Sequence, residues 1–204
     1  VMNGISSEEI IGGRYGMEKM IYTVAQGMDA MKFGNRFQYS QMGRLHIGAV
    51  SEQQNENLKR IKNFFHDISM PYVEENDIKY RIWSKFMLNV GVNQTCMVYG
   101  TTYSGVLKKG EANRIMISAM REVIALAHAE NIGLSENDIN QYIEILKTLK
   151  PDNSPSMGQD RINRKPSEVE MFAGTVIKLA QKYQIYVPVN EFLYDKVKEI
   201  ESAY

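Results

Sequence analysis

Lys85, Asn89 and Asn93 stand four residues apart in "KFMLNVGVNQ", residues 85–94. Their neighbours are apolar: Trp83, Phe86, Met87, Leu88, Val90, Val92, Cys96, Met97 and Val98. In a helix each step of four drifts the stripe by only about 40° and raises it by about 6 Å, so all three side chains project from one side. An ammonium with two neutral amides can steady negative charge growing on an oxygen and can orient hydroxyl and carboxylate groups. The bland alternative is a solvated stripe on a buried helix. Solvated faces usually carry Glu, Lys, Gln or Arg, and Asn is a weaker helix former than Ala by several tenths of a kcal/mol. On spacing alone the two readings stay open. A second polar cluster, "DNSPSMGQD" at 152–160, brings Asn153, Ser156 and Asp160 into a Pro-punctuated loop. Read alone it is an ordinary turn and helix cap. Glu168, a third candidate, reads alone as a favourable first-turn carboxylate.

Other chemistries have less support. Cys96 is the single cysteine, set in the apolar stretch with no adjacent cation to activate it, so it is expected to pack as a small hydrophobe. A lone thiol excludes an internal disulfide and fits a reducing compartment. His46, His66 and His128 have no motif context and are expected to be structural or on the surface. The basic stretch "INRKP" at 162–166 is short and reads as a solvated turn. The 204 residues carry no formal net charge, 44% hydrophobic and 24% charged residues, which is the profile of a globular chain without a nucleic-acid footprint. No apolar run reaches the ~18 residues of a membrane span. A cytoplasmic protein without nucleic-acid or membrane partners is the expectation.

The elements that must position these residues follow from periodicity. Residues 6–16 read as a helix start, capped by Ser6 or Ser7 ahead of Glu8 and Glu9 and ended or broken by Gly12 and Gly13. Residues 20–50 hold short β-type runs separated by Gly34 and Gly43, which favours antiparallel neighbours. Residues 53–67 return to helical spacing, with Leu58, Ile61, Phe64, Phe65 and Ile68 on one face, and "MPYVEEND" reads as a last strand. Beyond it come helices at 78–99, at 111–131 ended by Gly133, and at 136–149 opened by Ser135 with Asp138 and stopped by Pro151. "PSEVE" reads as a capping box, Ser167 with Glu170, opening a helix to Tyr183, and Asn190 is expected to cap the last helix. The chain thus divides into a mixed part, 1–76, and a helical part, 77–204.

Together these stretches resemble the ketopantoate reductase (2-dehydropantoate 2-reductase) family. The matching segments are "NG" at 3–4, "KFMLNVGVN" at 85–93, "NSPSMGQD" at 153–160, "KPSEVE" at 165–170 and "VPVNEFLYDKVKEIE" at 187–201, in family order and spacing. The resemblance implies an α/β plus all-α fold: a remnant of a Rossmann-type nucleotide domain over 1–76, then a helical, 6-phosphogluconate-dehydrogenase-like C-terminal domain. It implies NADPH-dependent reduction of 2-dehydropantoate to pantoate, in pantothenate and coenzyme A biosynthesis. It places the catalytic lysine on Lys85, substrate contacts on Asn89, Asn93, Asn153 and Ser156, the assisting acid, also near the cofactor, on Glu168, and a nicotinamide-side residue on Asn3. Two features depart from the family pattern. Ser6 replaces the second glycine of N-G-x-G, and no G-x-G-x-x-G occurs, although that loop is what lets a backbone approach a pyrophosphate. The expectation is a chain whose start corresponds to the late part of the nucleotide domain and which is inactive alone. Two alternatives stand beside it: a non-catalytic helical interaction or dimerisation module, and a reductase for another branched 2-oxo acid. Exposed strand edges would favour a homodimer.

Overall fold

The computed structural model describes residues 1–33 and 35–204, with the backbone only for 29–33 and 40. The chain divides into two compact units, Val1–Ile82 and Trp83–Tyr204. The boundary expected at 76/77 lies just before helix α3 (Ile78–Tyr99), whereas the units part inside that helix. The reason is packing: Ile78 and Ile82, in its first turns, join Tyr22 and Val24 in the core of the first unit, with Ile5 against them.

In the first unit, α1 spans Ser7–Tyr15. Gly12 and Gly13 neither end nor break it. Mid-helix glycines cost only about 1 kcal/mol each, and the helix runs on to Gly16, whose φ of 103° stops it. Ser6 occupies the cap position without a side-chain bond. The expected short runs are one long hairpin, β1 (Tyr22–Phe33) antiparallel to β2 (Arg36–Gly48). Gly43 is inside β2, not between strands. Its φ is 66°, and a Cβ there would meet the Gln26 carbonyl at 2.6 Å, so the glycine serves a close backbone approach. Gly34, the other expected spacer, lies outside the described residues. Helix α2 (Asn55–Asp67) then leads to β3 (Tyr72–Glu74), which pairs parallel with β2 and gives the order β1-β2-β3. A parallel pair needs such a crossover. Of the apolar face expected on α2 and just beyond it, Leu58 is buried, but Phe64 and Ile68 are more than half exposed. His46 is structural here: its Nδ1 lies 2.6 Å from Glu75, which also accepts from Arg81 Nε at 3.0 Å.

The second unit is helical: α3 continues into it, followed by α4 (Tyr103–Leu107), α5 (Glu111–Ala129), α6 (Glu136–Thr148) and α7 (Ser156–Ile162). A π-helical turn (Glu170–Gly174) then runs into α8 (Thr175–Tyr183), and α9 (Pro188–Glu201) closes the unit. From Phe86 to Met97, α3 is buried almost throughout, because apolar residues circle it. Gly91 lets α5 approach: a Cβ there would lie 2.5 Å from Met120 Cγ. Helix α5 ends at Ala129, with Asn131 supplying the left-handed residue (φ 60°) expected of Gly133. Asp138 accepts from both the amide and the hydroxyl of Ser135 at 2.8 and 2.9 Å, the reciprocal cap expected there.

Two expected caps are corrected. Ser167 does not pair with Glu170: its amide and hydroxyl both donate to Glu201, at 2.7 Å each, while Glu170 accepts from Tyr194 at 2.8 Å. Asn190 lies inside α9, fully buried, and Glu122 of α5 does the capping by accepting from the Val189 and Asn190 amides at 2.8 and 2.9 Å.

Candidate active site

The polar stripe belongs to the most buried helix of the second unit. Asn89 and Asn93 are 8% and 7% exposed, so their amides are withdrawn from bulk water. Lys85 is half-buried on the same face. Burial pushes its ammonium below the ordinary lysine value, and the nearby Glu168 carboxylate pulls it partly back up. An ammonium held this way stays a donor but gives up its proton more readily than a solvated lysine.

The loop cluster reaches the stripe at one point. Asn93 Nδ2 donates to Ser156 Oγ at 3.3 Å. Ser156 opens α7, and that short helix is fastened at its far end, where Arg161 Nη1 donates to the Met97 carbonyl and, at 2.8 Å, to that of Val98. These carbonyls lie in the last turn of α3, where the Gly100 amide also reaches Met97 at 3.4 Å, so a side chain from α7 helps to cap α3. Gly100, at φ 58°, turns the chain beneath the guanidinium. On the other side of Ser156, Ser154 Oγ donates to the Thr101 carbonyl at 3.2 Å, and the Asn153 carbonyl accepts from the Tyr103 amide at 3.0 Å. Asn153 is thereby fixed through its backbone beside α4. Asp160, one turn after Ser156, has its carboxyl pushed up by burial first and by Glu168 second, with Lys165 opposing.

Lys85 and Glu168 therefore interact, Asn93 and Ser156 touch, and Asn89 shares their helix face. Asn3 belongs to the first unit, in the turn before α1, and is followed by Gly4 at φ 91°. Cys96 is fully buried and its thiol is pushed up to about 12, which suits packing and not nucleophilic attack. Among the described residues no His, Cys, Asp and Glu cluster could hold a metal ion, and no helix is long and apolar enough to cross a membrane.

Sequence reasoning missed Gln94. Wholly buried beside Asn93, it donates through Nε2 to the Val90 carbonyl at 2.8 Å and to Asn190 Oδ1 at 3.3 Å, and accepts from the Ala173 amide at 3.1 Å. Asn190 in turn donates to Glu122 at 2.7 Å and to the Ala119 carbonyl at 3.3 Å. One signal was available: a third amide side chain in an apolar helix, off the spacing of four.

The chain is similar to known proteins. Residues 77–201 match the family model described as the C-terminal domain of ketopantoate reductase PanE/ApbA. An uncharacterised protein of Saccharomyces cerevisiae is 29% identical over 216 residues, covering 99% of this chain and 60% of its own length. A 2-dehydropantoate 2-reductase of Archaeoglobus fulgidus is 24% identical over 206 residues, covering all of this chain and 67% of its own. The chain thus spans roughly three fifths to two thirds of these relatives. Among solved structures, D-mandelate dehydrogenase in complex with NADH and anilino(oxo)acetate superposes with a TM-score of 0.88 at 21% identity, over all of this chain and 67% of that one. A PanE/ApbA family ketopantoate reductase from Ralstonia eutropha gives 0.83 at 22% identity, over 98% of this chain and 65% of its own. At these identities the likeness is one of fold.

Proposed function

The chain belongs to the ketopantoate reductase family, and on that premise we propose that it is the substrate-holding part of a nicotinamide-dependent 2-oxo acid reductase, with 2-dehydropantoate as substrate and NADPH as reductant. The observation that carries this reading is the half-buried Lys85 beside Glu168, on one helix face with two buried amides, one of them bonded to Ser156. That donor set suits the acceptor side of a carbonyl reduction. It holds one ammonium for the oxygen that gains charge, and neutral amides and a hydroxyl for the hydroxyl and carboxylate groups of the acid.

A reduced nicotinamide, when bound, supplies the hydride. Lys85 Nζ hydrogen-bonds the keto oxygen and gives it a proton as the C=O π bond breaks and the oxygen becomes a hydroxyl. Lys85 is left neutral and regains its proton from solvent. Burial favours that delivery, since it makes the ammonium more acidic. Glu168 holds the ammonium in place. Asn89, Asn93, Asn153 and Ser156 are proposed to orient the acid, and Asn3 and Glu168 to lie at the nicotinamide end. No residue is assigned to the dinucleotide phosphates, since the 204 residues contain no G-x-G-x-x-G.

The test is turnover by the full-length protein that contains this chain. Oxidation of NADPH should depend on 2-dehydropantoate, and K85A should lower kcat by at least about 100-fold with the fold intact, the scale of lost general-acid help. Near-normal turnover in K85A removes Lys85 from its role. The fold likeness to D-mandelate dehydrogenase favours one second reading, a different 2-oxo acid, and a panel of branched and aromatic 2-oxo acids separates the two by kcat/KM. Absence of turnover on every acid would leave the non-catalytic module.

A further inference from the structure

We propose that Gln94 is a positioning residue that sets the aim of Glu168 at Lys85 by holding the π-helical turn between Glu168 and α8. The inference rests on the roles proposed for Lys85 and Glu168. Glu168 is two residues ahead of the turn Glu170–Gly174. The Glu168 carbonyl accepts from the Met171 and Phe172 amides at 2.9 and 3.2 Å, and the Gly174 amide reaches back five residues to Val169 at 3.0 Å. This widening carries the Ala173 amide away from the ladder. It donates to Gln94 Oε1 at 3.1 Å. A buried amide without a partner costs about 1–3 kcal/mol, so the wide turn persists because α3 supplies an acceptor.

Gln94 is itself fixed. Its Nε2 donates to the Val90 carbonyl on its own helix and to Asn190 of α9, which Glu122 and the Ala119 carbonyl hold in turn. Phe86, the neighbour of Lys85, packs against Phe172 of the turn, the rings tilted by 54° with centroids 6.5 Å apart. The turn is therefore clamped to the same helix that carries Lys85, Asn89 and Asn93. A π turn holds one residue more than an α turn. Collapse to α geometry would rotate everything ahead of it by about 100°, one residue's worth, and would swing Glu168 off the ammonium. The charged groups at this corner are Glu168 facing Lys85, and Asp160 of α7 facing Glu168, with Lys165 and Glu201 acting on Asp160.

The test follows the Lys85 titration by NMR on the 204-residue protein with isotopically labelled lysine side chains, assigned with K85M, in four forms: wild type, E168Q, Q94M and the double variant. Q94M keeps length and burial but loses the acceptor. The expected result is a downward shift of the Lys85 midpoint in Q94M, in the same direction as in E168Q, with no further shift in the double variant. A Lys85 midpoint unmoved by Q94M in a folded protein overturns the proposal, and so does a double variant whose shift is the sum of the two single ones. If Q94M does not fold, Q94N keeps a buried amide that falls one methylene short of Ala173, and the same comparison decides. The titration needs no turnover, so its failure is told apart from failure of the reductase reading, which shows as no NADPH oxidation with any 2-oxo acid, and from loss of the Lys85 role, which shows as undiminished turnover in K85A.

Discussion

Lys85 makes two pH-dependent demands with opposite consequences. Its ammonium is harder to keep in the folded protein than in the unfolded chain, where the ordinary value is 10.5. Between the lowered folded value and 10.5 the unfolded chain binds more protons, so stability rises with pH across that window. Replacing Lys85 by Met should flatten that slope, as urea melts over an alkaline pH series would show. On the role proposed for Lys85, catalysis should run the other way. The proposed proton donor is lost as pH rises through the folded value, so kcat should fall on an alkaline limb. Removing the Glu168 charge takes away an influence that raises Lys85, and E168Q should move that limb to lower pH in the full-length enzyme. A limb that stays in place would mean that Lys85 is not the titrating acid. Three of the polar residues in this stretch were legible because a repeat of four marks one helix face. Gln94, about 100° round the helix from Asn93, broke that pattern, and its partners on other helices are 79 and 96 residues away along the chain.

At the scale of elements, the long apolar helix was expected over 78–99 and spans Ile78–Tyr99, because no proline interrupts it, its asparagines cost only tenths of a kcal/mol and its one glycine serves a helix contact. The ends of helices were less legible. The Ser135–Asp138 cap is local, three residues apart, and sequence reasoning found it. The cap of α9 comes from Glu122, 67 residues from the group it satisfies, and the C-terminal end of α3, closed locally by left-handed Gly100, takes added bonds from Arg161, 64 residues away; no local pattern announces either distant side chain. Glu122 takes two backbone amides and the Asn190 side chain in a half-buried setting. E122A should therefore cost about 1–3 kcal/mol, read as a lower urea midpoint at unchanged m-value. Burial raises the Glu122 carboxyl above its ordinary 4.5, with the three hydrogen bonds opposing. In the interval from 4.5 to the folded value the native state binds more protons, so this group makes stability fall as pH rises through that interval. E122Q, which cannot titrate, should remove that fall while keeping an acceptor, and an unchanged slope would show that the carboxylate is solvated after all.

At the scale of the whole molecule, the residues proposed to meet the acid fall within one unit. Lys85, Asn89, Asn93, Asn153, Ser156 and Glu168 all belong to the unit Trp83–Tyr204. Asn153 and Ser156 are held from within that unit, through Arg161 and the stitching of 151–154 to 101–104. The first unit contributes a β2-α2-β3 crossover and the Asn3 turn, but the sequence holds no glycine loop for a pyrophosphate. The 204-residue chain should therefore bind a 2-oxo acid without reducing it and should give no fluorescence quenching with NADPH. Calorimetric titration with 2-dehydropantoate, repeated on K85A, measures the first half. Loss of the ammonium removes a charge-assisted hydrogen bond of about 1.5–3 kcal/mol, so affinity should fall roughly 10- to 150-fold. Acid binding that survives K85A at full strength would place the carboxylate and the keto group elsewhere on the unit. NADPH quenching of the same chain would show that a nucleotide can be held without the glycine loop, and would move the boundary of the active enzyme inside these 204 residues.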